Sequence, residues 1–230
     1  MRSCHRIHVD EFLASAKPYM RGRVLDIGGS RVNKKGEFRP PHAGVTAWEY
    51  LNIDKAAEPD YLCDAEHVPL PDGSVDCFLL CEVLEHVERP EVVLKEAARV
   101  LRFGGHGVLT MPFLYPVHAD PHDFQRWTAD KFRREIEAAG LRVISLEPLG
   151  GPMSALHDTL LNLTWRQTPP GLSMRVLSKL LTWTAGAAVG MDRRYAVSAR
   201  HITSGWGAVV EQPDMTAGRP ASVTPQGDTA

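Results

Sequence analysis

The chain has 230 residues, 43% of them hydrophobic and 23% charged, which suits one domain with an appendage and supplies enough apolar side chains for a core. A net charge of −2 leaves no overall electrostatic footprint for nucleic acid. Four cysteines, Cys4, Cys63, Cys77 and Cys81, lack the paired spacing of a zinc site, and the first residues carry no apolar run. The expectation is therefore a cytoplasmic protein with reduced thiols.

In chain order, residues 7–20 place Ile7, Phe12, Leu13 and Ala16 near helical spacing and predict a leading helix beside the sheet or over a cofactor. Arg23 to Gly28 is a short apolar run closed by glycine, which suits a buried parallel strand. Residues 48–54 form a second strand ending on Asp54, Tyr61–Cys63 a brief third, and Val75–Cys81 an apolar fourth. Val92–Leu101 has helical periodicity, with Gly104-Gly105 as its stop. Gly107–Met111 is a fifth strand. Thr128 is a good N-cap for a helix running to Ala139. Leu141–Glu147 is a sixth strand and Ser204–Val210 a seventh.

Such alternation predicts an α/β fold: a doubly wound, Rossmann-like, mostly parallel seven-stranded sheet with helices on both faces. Residues 1–211 form the single domain. Residues 152–200 are a helical insertion before the last strand, suited to a lid, a homodimer face or an interfacial helix. Residues 212–230, rich in Pro, Gly, Ala and Thr, read as a disordered tail.

In doubly wound sheets the ligand lies beyond the carboxyl ends of the strands. Asp26, Asp54, Asp64, Cys81, Glu82 and Met111 all fall at or near such ends. The turn Asp26-Ile27-Gly28-Gly29-Ser30 lets backbone approach a ligand closely. Asp54 can accept two hydrogen bonds from a ribose diol, and Asp64 one from an adenine amine, with Ala65 and Glu66 on the same edge. NAD sites use similar devices, but the G-x-G-x-x-G spacing is absent from GGSRVNKKG.

Taken together, VLDIGG, LNID, CDAEHVPLPDGSVDCFLLCEVLEHVERP and EAARVLRFGGHGVLTMP resemble the class I S-adenosylmethionine-dependent methyltransferases, over residues 22–147. The likeness is to type-11-like domains of bacterial glycan and secondary-metabolite pathways. It implies Asp26, Gly28 and Gly29 beside the methionine portion of the donor, Asp54 at the ribose, Asp64 and Ala65 at adenine, and Cys81 to Val83 beneath the donor. One departure stands out. The family's first turn usually leads into a helix, whereas residues 31–42 carry Arg31, Lys34, Lys35, Pro40 and Pro41, so an open loop is expected there.

Two clusters remain for the acceptor: Glu82-Val83-Leu84-Glu85-His86, and His118 to Asp123 ahead of Phe124, Arg126 and Trp127. On a helical turn Glu82, Glu85 and His86 share one side. With His122 they resemble the ExxEH-plus-histidine metal site of small-RNA 2′-O-methyltransferases and ubiquinone-pathway O-methyltransferases. A divalent ion (Mg²⁺, Mn²⁺ or Zn²⁺) there would lower the pKa of an acceptor hydroxyl. A second resemblance, to H-x-x-P-x-D-F-x-R-W-T, nominates His118 as the histidine that matters; a histidine suits general base work near neutral pH. Asp123 with Arg126 reads as a structural ion pair and Trp127 as core. The expected reaction is O-methylation of a sugar or natural-product hydroxyl, on a small-molecule or glycan acceptor that the apolar insertion allows to be lipid-linked, with peripheral membrane contact. N-methylation, or a scaffold that binds without catalysis, are the alternatives.

Overall fold

The computed structural model describes residues 3–32, 36–118, 122–165, 171–194 and 202–214. Ser3 opens the first helix, its hydroxyl accepting from the Arg6 backbone N–H. This helix, α1, spans Cys4–Ser15 and so begins earlier than its apolar pattern alone predicts. Pro18 lies in the separate 3-10 turn Lys17–Tyr19 that follows.

The strands are β1 Gly22–Ile27, β2 Val45–Asn52, β3 Tyr61–Leu62, β4 Val75–Cys81, β5 Leu101–Pro112, β6 Arg142–Leu149 and β7 Gly205–Glu211. They form one sheet in the order β3-β2-β1-β4-β5-β7-β6, with β7 alone antiparallel to its neighbours. The order reverses between β1 and β4, which opens a crevice at their carboxyl ends. Helices α2 Pro90–Val100 and α3 Ala129–Ala138 cover one face through Val93, Leu94, Phe132 and Ile136. Helix α1 covers the other through Val9, Phe12 and Leu13. Fully burying each such side chain is worth about 1.5–3 kcal/mol.

Two predicted element ends move for a visible reason. The second strand ends at Asn52 rather than on Asp54, because Asn52 turns its amide back to the first loop. Helix α2 ends at Val100, ahead of Gly104-Gly105, because Leu101 pairs with Val75 and is buried. The two glycines instead sit inside β5, near the register shift of its partner strand. A side chain at Gly105 would meet the Arg102 carbonyl at 2.8 Å, so the bend needs glycine.

The predicted insertion is two helices, α4 Pro152–Trp165 and α5 Leu172–Arg194, stacked on α1. Asp158 of α4 accepts from the backbone N–H groups of Cys4 and His5, both at 2.8 Å, at the start of α1. Residues 28–44 have no helix among those described. That loop is fastened by Asp10, which accepts from Glu37 and Phe38 N–H, and by the Arg31–Asp60 ion pair at 2.6 Å. Gln212 exchanges backbone hydrogen bonds with Gly104 and Gly105; the predicted tail from 215 onward lies outside the described residues. Among the described residues no helix is long and apolar enough to cross a membrane, and the four cysteines are free.

Candidate active site

The strand order puts the ends of β3, β2, β1 and β4 side by side. Gly28 has φ +79°, and a Cβ there would lie 2.4 Å from Val83 Cγ2. Its N–H donates to Leu51 O at 2.7 Å, and Asn52 Nδ2 donates to the carbonyls of Gly28 and Gly29 at 3.1 and 2.9 Å. The turn is therefore clamped from β2 and packed so closely against Val83 and Asp26 that only glycine fits. Asp54, exposed, lies two residues beyond β2 and accepts from Ala56 N–H at 2.8 Å. Asp64, also exposed, lies two residues beyond β3 and accepts from Glu66 N–H at 2.9 Å. Asp26 and Ala65 are half-buried. Cys81 ends β4, its thiol pushed up by burial and then by the charge of Asp26. Two exposed carboxylates at adjacent strand ends, next to a turn with no side chain, fit a ligand carrying a diol and an amine.

Glu82 begins the half that the sequence assigns to an acceptor. It has φ 56°, outside the helical region, so it does not share a helical turn with Glu85 and His86. Its carboxylate takes His5 Nε2 at 2.8 Å. His5 Nδ1 is 3.0 Å from Ser204 Oγ, whose own proton goes to Leu149 O at 2.6 Å, so Ser204 accepts from Nδ1 and His5 donates from both nitrogens. Burial alone would raise the Glu82 pKa, but the charge and hydrogen bond of His5, with Arg6, hold it down at about 2.

Glu85 is wholly buried, and neither of its carboxylate oxygens has a hydrogen-bond partner among the described residues. Burial first, and then the charge of Glu82, push its pKa well above the ordinary value. His86 Nε2 is 3.6 Å and His118 Nε2 4.0 Å from Glu85 Oε1. His86 Nδ1 lies 2.6 Å from His122 O, and His118 Nδ1 3.2 Å from Pro116 O. A carbonyl only accepts, so both Nδ1 atoms carry the proton and both Nε2 atoms present lone pairs. Burial and the neighbouring His86 lower the His118 pKa.

The expected metal set was Glu82, Glu85, His86 and His122. Among the described residues the structure instead groups Glu85, His86 and His118, with ligand atoms within 4.8 Å of one another. Glu82 is taken by His5, and the His122 ring lies 5.2 Å from Phe124 while only its carbonyl reaches His86. Residues 119–121 between the two histidines lie outside the described residues. Asp123 does pair with Arg126, Oδ2 to Nη2 at 2.6 Å, and also accepts from His118 N–H. Trp127 is core, its indole N–H donating to Gln125.

Sequence reasoning missed three participants. Asn52 stands in LNID beside the acid that drew attention. Gln125 ties the 122–128 segment to the Glu85 turn by donating to the carbonyls of Leu84 and Val87. His5 lies on the buried face of α1 with His8, a polar pair on a core-facing surface that could have marked it.

Comparison with known proteins bears on the fold and on residues 44–109. Residues 44–109 match the family described as Methyltransferase domain. A stretch of 51 residues is 49% identical to an uncharacterized 37.1 kDa protein of a Streptomyces fradiae transposon, covering 22% of this chain and only 15% of that protein. The ubiquinone/menaquinone biosynthesis C-methyltransferase UbiE of Caulobacter vibrioides is 23% identical over 205 residues, 67% of this chain and 81% of its own. Among solved structures, an S-adenosylmethionine-dependent methyltransferase from Archaeoglobus fulgidus superposes with TM-score 0.53 at 17% identity, over 90% of this chain and 94% of that one. The [4+2]-cyclase SpnF gives 0.54 at 18%, over 91% and 80%. These likenesses to structures speak for the fold alone, and the cyclase makes plain that one fold carries different chemistries. Residues 44–109 match a methyltransferase domain, and the fold with its glycine turn is that of the class I S-adenosylmethionine-dependent methyltransferases.

Proposed function

We propose that this methyltransferase transfers the donor methyl to a hydroxyl of a sugar or natural-product acceptor, which reaches the paired Nε2 atoms of His86 and His118. The observation that carries this reading is the orphaned Glu85 carboxylate beneath two histidines whose backbone-held Nδ1 protons turn both Nε2 lone pairs toward it. One carboxylate and two imidazoles fit a divalent ion, since oxygen and nitrogen atoms 3.6 and 4.0 Å apart can share an ion with bonds of about 2 Å. Backbone carbonyls on the far nitrogens are the usual outer support of such ligands. Bound there, the ion would supply acidification of the acceptor hydroxyl. The C–S bond of the sulfonium breaks as the C–O bond forms, sulfur keeps the electron pair as a neutral thioether, and the proton of the acidified acceptor goes to solvent water at the exposed His118 edge of the site.

A second reading is favoured by the lowered His118 pKa and its partly exposed ring. His118 then takes the proton itself, without an ion. Calorimetry with S-adenosylmethionine tests the donor half, and absence of binding by the wild-type protein would end the whole reading. Methyl transfer to a panel of hydroxyl acceptors, with chelator and then with Mn²⁺ or Zn²⁺ restored, separates the two acceptor readings. Chelator-resistant turnover selects the histidine base.

A further inference from the structure

Helix α5 has two apolar faces. One packs inward through Ala185 and Val189, with Asp192. On the opposite side, Leu172, Val176, Leu180, Trp183 and Met191 repeat at steps of three, four and eight, which is one continuous stripe at helical period. That stripe faces solvent: Leu172 is 79% exposed and Trp183 82%. Helix α4 adds Leu156, Leu160 and Leu163, also exposed. Both acids of these helices are buried and used: Asp158 holds the start of α1, and Asp192 accepts from the N–H groups of Gly151, Met153 and Ser154. The exposed charges of α4 and α5 themselves are then the cations Arg175, Lys179, Arg193 and Arg194, with Arg193 paired to Glu11 of α1. This local excess of positive charge stands on a chain whose net charge is −2.

We infer that α5 lies on an anionic lipid surface, its leucine and tryptophan stripe at the acyl boundary and Arg175 and Lys179 on the headgroup phosphates. A helix too polar to span, with a large exposed apolar face, an interfacial tryptophan and flanking cations, is the form that lies in a membrane interface. A second copy of the chain is a poorer occupant. Pairing two such faces brings cation against cation, with no exposed acid on either helix to answer. The inference does not depend on which atom is methylated.

Flotation with phosphatidylcholine vesicles, with and without phosphatidylglycerol, tests it. The wild-type protein is expected to float with the anionic vesicles and to be released by salt. Leu180→Ser with Trp183→Ser should weaken flotation about tenfold or more, and Lys179→Glu about tenfold. Both variants should keep the wild-type thermal midpoint and affinity for S-adenosylmethionine. No flotation with either vesicle overturns the inference, as does flotation that the double variant retains. A solution dimer that the double variant dissociates overturns it in favour of a second copy.

Discussion

The proposed donor half and the proposed acceptor half share one sheet edge but are built differently. At the donor half, Asp54 and Asp64 are exposed and held by hydrogen bonds to N–H groups two residues away. At the acceptor half, Glu82 meets His5 across 77 positions of sequence, and Glu85 is buried beneath His118. The donor half is thus short-range and solvated, with charges that cost little to keep. The acceptor half sets two carboxylates beside each other: Glu82 is hydrogen-bonded to His5 from another segment, whereas Glu85 has two histidines nearby and no hydrogen bond among the described residues. Burial of that kind is tolerated where partners offset it, and it is where perturbed carboxylates mark chemistry.

The largest expected effect lies in the acceptor half. His118→Ala should lower kcat by about 10²- to 10⁴-fold while leaving S-adenosylmethionine affinity unchanged. In the base reading the acid limb of the wild-type kcat/KM profile falls below the ordinary histidine value of 6.5, since burial disfavours the charged ring. Equal losses of activity and of donor binding would erase the distinction between the two halves. Next comes His5→Ala, which strands the buried Glu82 carboxylate and should cost about 3–5 kcal/mol of stability by denaturant melt. Glu82 is depressed to about 2, so its contribution is present above its ordinary value of 4.5 and is lost as pH falls through about 2. His5→Ala should abolish that acid-side loss.

The same contrast governs what could be read from the sequence. The strand-end positions of Asp26, Gly28, Asp54 and Asp64 were legible because Asp26 and Gly28 close β1, Asp54 follows β2 and Asp64 follows β3, and strand ends are local features of hydrophobic pattern. The boundaries that slipped, at Asn52 and Val100, depend on cross-strand partners: the Gly28 and Gly29 carbonyls for one, Val75 for the other. The Glu82-Glu85-His86 spacing suggested one helical face, but a left-handed Glu82 and a distant His5 decided otherwise. Two spacing patterns nominated different histidines, His122 and His118. Carbonyl acceptors at 116 and 122 separate their roles, and no pattern of residue types encodes those.

On the proposed donor side, Asp54→Ala removes both oxygens offered to a ribose diol and should weaken S-adenosylmethionine about 30-fold, about 2 kcal/mol by calorimetry. The fold should barely respond, because Asp54 is exposed and caps only the 3-10 turn Lys55–Ala57.

The smallest expected change is the most discriminating, and it concerns Glu85. Its folded-state pKa is raised, so the folded protein holds this proton more tightly than the unfolded chain does. Stability from that linkage is complete below the ordinary carboxylate value of 4.5 and declines as pH rises through the raised folded value. Glu85→Gln keeps the shape and removes the titration. In chelator at neutral pH or above it should therefore raise stability, by about 1 kcal/mol, and flatten the decline. With Mn²⁺ or Zn²⁺ added, the order should invert: the wild-type midpoint rises with ion concentration and that of Glu85→Gln stays still, because only a carboxylate repays its burial by ligating the ion. An ion-dependent shift that survives Glu85→Gln would put the cation elsewhere and leave His118 as the base.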